Sequence, residues 1–499
     1  MLAAGAAALA LALTGSGGAG IGVPIAAAAG PPALPATVSW GGLAHRIPRG
    51  FFGLSIEYNE LKTYEASGVL FQRVISMLRP RDGGPLLLRI GGKSADHMLW
   101  DPNAPADAKP VAPGVFRLGY PWLSALSSWV HREHLRVILD LNLAVHSPTM
   151  AGAFVAAVRK ALGPGRIAGL EIGNEPDMYH YQPRLTRERI SSTSRSTPRH
   201  WWSNYSYANY RNDFVNYART LKGKLPGIPL GAPDITRPIS SWLTDLSGLG
   251  RLGPSFLAIH RYATSGCFAP GSSAYPTIPH LLNDGNAEGL SATVAPWVHY
   301  AHARGTALRI TEINSVSCGK DRGVSDSFAS ALWAPDVLFS MIQTGVNGIS
   351  WHIRPWPTNA PFHFRGDGIL AMPELYGLAM FARMTHGPAN LLSSSVSGSS
   401  GLHLHAWTVR RGPTVSVLLI NKGGRAANVA VRAAAHAGSA YVRRLVAPRV
   451  SSIRGVRFAG QTIGSDGLWH GRERVSRAAN RGGYYHLFVG AYSAALVTF

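Results

Sequence analysis

Two kinds of apolar segment alternate along most of the chain. One kind is short and nearly continuous: "FFGLSIEY" (51–58), "LLLRIGG" (86–92), "LRVILDLNL" (135–143), "IAGLEIGNEP" (167–176), "PLGAPDI" (229–235), "FLAIHRYA" (256–263), "LRITEIN" (308–314) and "NGISWHI" (347–353). Runs of this length and composition read as buried strands. The other kind has helical spacing, as in "AGAFVAAVRKALG" (151–163), "YRNDFVNYARTLKGKL" (210–225) and "SDSFASALWAPDVLFSMIQTG" (325–345). The last opens on Ser325 or Asp326 as an N-cap and stops at Gly345. Strands and helices in this alternation predict an α/β fold, a (β/α)8 TIM barrel over 50–384 with insertions. The alternative is a doubly wound sheet. It would carry a Gly-rich phosphate loop after its first strand, where this chain has "SIEYNELKTY".

Past 385 the helical spacing stops. "GLHLHAWTVRRG", "TVSVLLINKGG", "ANVAVRAAA", "SAYVRRLVAP" and "GGYYHLFVGAYSAALVTF" are strand runs divided by turn residues. They predict an antiparallel β-sandwich over 386–499. The segment "ATVSWGGLAHRIP" (36–48) has strand character ahead of the barrel and is a candidate to join that sandwich. At the N-terminus, Leu2 to Leu13 is too short to span a bilayer, and A-x-A-type sites follow near Ala26 to Ala29. Residues 1–29 therefore read as a secretory signal peptide, although the positive n-region is missing. The expected location is secreted or periplasmic, and no later stretch reads as a membrane span.

Charge changes the picture little. The chain carries 48 Lys+Arg against 26 Asp+Glu, a formal net charge of +22. The arginines are scattered, and no basic block interleaves with aromatics, so no nucleic-acid partner is expected. An acidic polymer remains a permitted partner.

The chemistry gathers at the C-terminal ends of the strand runs, where barrel active sites lie. Glu57 closes the first run. Arg89 and Gly91-Gly92 close the second, Asp140 and Asn142 the third, Asn174 and Glu175 the fourth. His260 and Tyr262 end the sixth, Glu312 the seventh, and Trp351 with His352 the eighth. Glu175 and Glu312 would face each other across the mouth. Two facing carboxylates suit glycoside hydrolysis: one attacks the anomeric carbon, the other protonates the leaving oxygen. Arg89 and Tyr262 could donate hydrogen bonds to Glu312 and keep it ionised, which leaves Glu175 as the acid. Asn174 could hold a sugar hydroxyl. His260 reads equally as a packed histidine, Glu171 as a satisfied interior acid, and Asp140 as a barrel-interior residue. There is no HExxH, no His/Cys cluster at ligand spacing and no GxSxG, so neither a metal nor a cofactor is expected.

"LLRIGGKSADHMLWDP", "IGNEP", "AIHRYATSG" and "ITEINSVSCGKDRGVSDSFASALW" stand in one order along the chain. Together they resemble the retaining glycoside hydrolases of clan A, and more narrowly family 79, which holds β-glucuronidases and heparanase. The resemblance covers roughly 50–499. It implies Glu175 as acid/base, Glu312 as nucleophile and Tyr262 as a contact of the nucleophile. Glu57 and Asn174 match positions that hold sugar hydroxyls, and Gly92, Lys93 and Asn142 fall in the same substrate-facing loops. It also implies that backbone N–H groups of Ser317, Cys318, Gly319 and Lys320 bind a uronic-acid carboxylate. Lys93 departs from the small polar residue expected there. No tyrosine is found after the eighth run to help hold the carboxylate; Trp356 is the nearest aromatic.

The expected activity is that of an exo-acting β-glucuronidase releasing glucuronic acid or its 4-O-methyl form. The partner is an oligo- or polysaccharide containing uronic acid. An endo-acting hydrolase of an acidic polysaccharide, a neutral clan A β-glycosidase and a non-catalytic carbohydrate-binding protein stay open. The long segment 177–209 carries Tyr179, Tyr181, Trp201, Trp202, Tyr205 and Tyr207, which could wall the cleft or tuck onto a helix. Cys267 lies in the loop after the sixth run and Cys318 in the loop after the seventh. Neighbouring barrel strands run about 4.8 Å apart, so these two cysteines are expected to form a disulfide.

Overall fold

The computed structural model describes residues 32–111, 114–181, 204–319, 321–355, 359–435 and 438–499. The expected signal segment 1–29, Trp201, Trp202, Lys320 and Trp356 lie outside the described residues.

The eight apolar runs form a closed parallel barrel. Its strands, numbered one to eight in chain order, are Phe52–Glu57, Leu86–Gly91, Leu135–Leu141, Ile167–Ile172, Leu230–Ile235, Phe256–Ser265, Ala307–Ser317 and Gly348–His352. Each pairs with the next, and strand eight closes onto strand one from Ile349↔Phe52 to His352↔Ser55. Side chains alternate across a strand. Leu54, Ile56, Leu88, Ile90, Leu139, Leu141, Leu170 and Ile172 join the main hydrophobic core. The residues between them, including Ser55, Arg89, Asp140 and Glu171, are fully buried and bond to one another inside the barrel.

Several strand ends differ from the sequence reading: strand three stops at Leu141, strand six runs on to Ser265, and strands four and seven move furthest. Strand four stops at Ile172, because Gly173 turns at φ 79°. Strand seven continues to Ser317, because its pairing with strand six runs on to Ser317↔Ser265. The predicted helices are present as Pro148–Leu162, Tyr207–Lys224 and Phe328–Thr344. The last is entered at Ser327 rather than Ser325 or Asp326. Asp326 instead accepts the Gly323 N–H at 2.5 Å, and Ser325 bonds the Ser315 hydroxyl at 2.6 Å. Gly345 ends that helix at φ 91°, the left-handed C-cap that glycine adopts at little cost.

The second layer is a mostly antiparallel sheet of eleven strands. Leu34–Arg46, ahead of the barrel in sequence, lies inside it, antiparallel to Asn390–Gly398 and parallel to Ala427–Arg432. The strand Thr414–Asn421 is buried on both faces. Val415, Val417 and Leu419 belong to the sandwich's own core, while Leu418 and Ile420 join the core shared with the barrel. That double burial explains its unbroken apolar sequence. Where the two layers meet, Asp336 of the helix Phe328–Thr344 is buried against Trp407, His405 and Lys422 of the sandwich.

Candidate active site

The site is built upward from Arg89, which is fully buried on strand two. Its Nε donates to Glu171 at 2.7 Å, and Nη1 donates to Glu312 at 2.9 Å and to Ser55 at 3.3 Å. Nη2 donates to Asp234 at 2.5 Å and to Asp140 and Asn174 at 3.2 Å. Burial opposes the guanidinium charge, but Asp234, Glu171, Asp140 and Glu312 outweigh it. So many buried acids around one cation cannot all ionise. Burial and its acidic neighbours push Asp140 well above the usual carboxylate range despite Arg89. Burial and Asp234 push Glu171 up to about 7. Asp234 and Glu312 go the other way. Burial would raise both, but Arg89 and His260 hold Asp234 down, and His352, His260 and Arg89 hold Glu312 well below the usual range. His260 is buried against carboxylates: burial disfavours its charge, yet Asp234 and Glu312 keep it an imidazolium. The layer therefore carries Arg89 and His260 as cations against Asp234 and Glu312 as anions.

Glu312 joins this layer from strand seven. Its Oε2 accepts from Arg89, and its Oε1 accepts the Tyr262 hydroxyl at 2.6 Å. The Tyr262 oxygen in turn lies 2.7 Å from His352 Nδ1, which is 3.1 Å from Glu312 Oε1. Both of the contacts expected for Glu312, from Arg89 and from Tyr262, are made. Glu175 comes from the other side of the mouth. Past Gly173 the chain places Glu175 at φ 49°, a left-handed conformation that a side chain disfavours. Two backbone bonds hold it there: Glu175 N–H to the Asp234 carbonyl at 3.0 Å, and Met178 N–H to the Glu175 carbonyl at 2.8 Å. Strain of this kind costs about 1–3 kcal/mol and gathers at functional sites. Glu175 Oε1 lies 3.0 Å from His260 Nδ1. His260 Nε2 lies 2.9 Å from Asp234 Oδ1, an ion-pair contact whose angle falls short of a hydrogen bond. Glu175 is 25% exposed and Glu312 8%, so one carboxylate faces the opening and the other the floor. A carboxylate oxygen of each and a His260 ring nitrogen lie within 4.8 Å of one another. In this structure the three groups bond protein partners: His260 Nδ1 lies on Glu175, and Glu312 takes Arg89 and Tyr262.

The other predicted positions divide. Glu57 is buried and held by the Ser94 N–H at 2.7 Å and by Arg354 Nη2 at 3.1 Å. Gly92, at φ 67°, lets the backbone pass the Glu57 carboxylate; a Cβ there would stand 2.6 Å from Oε1. Asn174 turns its Oδ1 to Arg89, which leaves its NH2 as a donor. Asn142 is not a substrate contact. It is 1% exposed, its Nδ2 donates to the Met98 carbonyl at 2.6 Å, and its Oδ1 accepts from Val145 N–H at 2.9 Å. Lys93 is exposed, and only its carbonyl makes a bond, to His97 Nδ1. The disulfide Cys267–Cys318 is present, with Cα atoms 5.4 Å apart. It ties the loops after strands six and seven, and the Gly266 N–H donates to the Ser317 carbonyl at 2.9 Å. Cys318 and Gly319 both have positive φ and are exposed. Tyr179 and Tyr205 do not wall a cleft. Tyr179 donates to Asp96 at 2.6 Å and Tyr205 to Asp213 at 3.0 Å, both buried. Tyr207 packs on Trp242.

Asp234 escaped the sequence reading, although it is the one charged residue of the fifth run and stands next to its end. It bonds Arg89 and Thr311, contacts His260, and its carbonyl holds Glu175. Arg354 escaped because it lies just past the last apolar run.

No family model matches the chain. A β-glucuronidase of Aspergillus niger (strain ATCC MYA-4892 / CBS 513.88 / FGSC A1513) is 23% identical over 363 residues, 68% of this chain, and the chain spans 65% of that relative's length. A solved 4-O-α-L-rhamnosyl-β-D-glucuronidase of Fusarium oxysporum 12S, in a Rha-GlcA complex, matches with a TM-score of 0.75 at 16% identity. That match covers 93% of this chain and 100% of the other. The family 51 arabinofuranosidase of Xanthomonas axonopodis pv. citri matches with a TM-score of 0.63 at 14% identity, over 93% of this chain and 99% of the other. The chain thus shares the two-layer fold of solved glycoside hydrolases along nearly its whole length.

Proposed function

We propose that this protein is a retaining glycoside hydrolase that removes terminal β-glucuronic acid from a glycan. The observation that carries the reading is the closeness of the Glu175 and Glu312 carboxylates, within 4.8 Å oxygen to oxygen. Double displacement needs about 5–5.5 Å between carboxyl groups, and inversion needs roughly 6.5–9.5 Å to admit a water. Glu312, held ionised, attacks the anomeric carbon as Glu175 gives its proton to the departing glycosidic oxygen. The C1–O bond breaks and an ester to Glu312 forms. Glu175 then takes a proton from water, whose oxygen attacks the same carbon and releases Glu312. Arg89 and Tyr262 hold the two Glu312 oxygens in position, and the Asn174 NH2 donates to a sugar hydroxyl.

The uronic acid is supported by the names of two similar proteins, both glucuronidases. Export belongs to the same reading, since the Cys267–Cys318 bond suits an oxidising compartment. The test is turnover of an aryl β-glucuronide beside the matching aryl β-glucoside. Preference for the glucuronide is expected. Preference for the glucoside would reassign the enzyme to neutral sugars, and sugar binding without turnover of either would make it a binding protein.

A further inference from the structure

The site holds a second pair of acids, Glu57 and Glu60, buried beside Arg354 and His352. Glu60 is 5% exposed and its Oε2 accepts no hydrogen bond. Burial and the neighbouring Glu57 push it up to about 7. A sugar bearing a carboxylate would therefore enter a site crowded with acids, beside the ionised Glu312. Some cation has to answer that charge.

The basic side chains nearest the reacting carboxylates already face acids of the site. Arg89 spends its three nitrogens on buried acceptors. His260 stands between Glu175 and Asp234. His352 lies against Tyr262 and Glu312 through Nδ1. Arg354, two residues beyond the end of strand eight, is different. Its Nη2 donates to Glu57 Oε1 at 3.1 Å, its Nε is buried and bonds nothing, and Nη1 has no partner among the described residues. Its side chain is 39% exposed, so the guanidinium is held by one carboxylate and still reaches solvent. Asn359, in the same loop, donates to the Val316 carbonyl at 3.0 Å and accepts from Asn314 Nδ2 at 2.8 Å. The loop that carries Arg354 is thereby tied to the strand that carries Glu312. With one Nη2 hydrogen on Glu57 and Nε buried, the guanidinium keeps Nη1 and the second Nη2 hydrogen along its Nη1/Nη2 edge, which fits a second carboxylate.

We propose that Arg354 is a specificity-determining residue of the site: its free donors take the carboxylate of the sugar seated against Glu312, while Nη2 stays on Glu57. This rests on the glucuronidase reading above. Backbone N–H groups of Ser317 to Gly319 can shape the same subsite, but they carry no net charge, and Arg354 does.

The test compares wild type, R354Q and R354K on the aryl β-glucuronide and the aryl β-glucoside. In R354Q, kcat/KM on the glucuronide is expected to fall about 10- to 100-fold, as for loss of a charged hydrogen bond. Most of the fall should lie in KM. The loss on the glucoside should be smaller, so that the ratio of the two drops at least about tenfold, and R354K should recover part of it. Equal losses on both substrates would mean that Arg354 only props Glu57, and would overturn the proposal, as would an unchanged glucuronide rate. If wild type hydrolyses neither substrate, the proposed function falls and Arg354 is judged by calorimetric binding of glucuronate against glucose. Wild-type preference for glucuronate that R354Q loses upholds the assignment. The same preference in both, or no binding, overturns it.

Discussion

The protein buries two clusters of charge, and they are balanced in opposite ways. Between barrel and sandwich, Asp336 accepts from Lys422 at 3.0 Å, from Trp407 at 2.8 Å and from His405 at 3.0 Å. Half-exposed Asp284 closes the group, 2.8 Å from Lys422 and 3.0 Å from His405. Every shift there favours the charged form. Although burial opposes them, His405 and Lys422 pull Asp336 down to about 2, and Asp336 with Asp284 lifts His405 to about 9. The cluster inside the barrel is divided. Asp140 and Glu171 are driven toward the neutral acid while Asp234 and Glu312 are held ionised. Asp140 Oδ1 and Glu171 Oε1 accept nothing. A cluster whose partners all agree fastens two layers together. One with more acids than its cations can satisfy is costly for stability, but it holds Glu312 ionised between Arg89 and Tyr262, which chemistry needs.

The largest effect that would break this contrast falls on the facing glutamates. Glu312→Gln should lower kcat by at least about 10⁴-fold, with the circular dichroism of the folded protein retained. Glu175→Ala should also be slow, yet be partly rescued by azide on a substrate with a good leaving group, which needs little protonation.

Removing the centre of each cluster comes next. Arg89→Gln leaves several buried acids without their cation and should cost roughly 3–5 kcal/mol in denaturant unfolding, with activity lost. Asp336→Asn leaves Lys422 and His405 only the half-exposed Asp284 and should cost less, roughly 1–3 kcal/mol, but kcat per folded molecule should stay near wild type. Equal loss of activity in both variants would erase the division between the clusters.

Smaller and sharper is the dependence of stability on pH. His405, raised from 6.5 to about 9, binds a proton in the folded state that the unfolded chain has released. Its contribution is full below 6.5 and disappears as pH rises through 9, about 3 kcal/mol in all. Glu171, raised from 4.5 to about 7, makes stability fall over the lower window, from 4.5 to 7. Asp336, depressed from 3.8 to about 2, contributes above 3.8 and loses that as pH falls through 2. Urea unfolding across pH should therefore show His405→Gln flattening the alkaline window and Glu171→Gln the lower one. Exchange of the two windows would show the clusters to be mislabelled.

The strands were legible because each is covered by helices on one face and a polar interior on the other. That gives short apolar runs with charges at alternate places near their ends. The pairing of Glu312 with Arg89 and Tyr262 followed from those ends lying around one mouth, as did the meeting of Cys267 with Cys318 in adjacent loops. Asn142 was misread because an amide at a strand end looks the same whether it serves a sugar or two backbone groups of its own loop. Tyr179 and Tyr205 were equally ambiguous, since an aromatic that could stack on a sugar can also bury its ring and bond an aspartate. Asp234 was missed although its place in the run marked it. Arg354 could not be found by strand patterning, because its position is set by the loop past strand eight and by Glu57.

In the proposed reaction Glu312 bonds covalently to the sugar while Glu175 moves the proton. Incubation with a 2-deoxy-2-fluoro-β-glucuronyl fluoride, followed by proteolysis and mass spectrometry of the peptides, tests it directly. The account predicts a time-dependent loss of activity and a single fluoroglucuronyl adduct on Glu312. An adduct on another residue, or turnover without any adduct and with an inverted product, would contradict it.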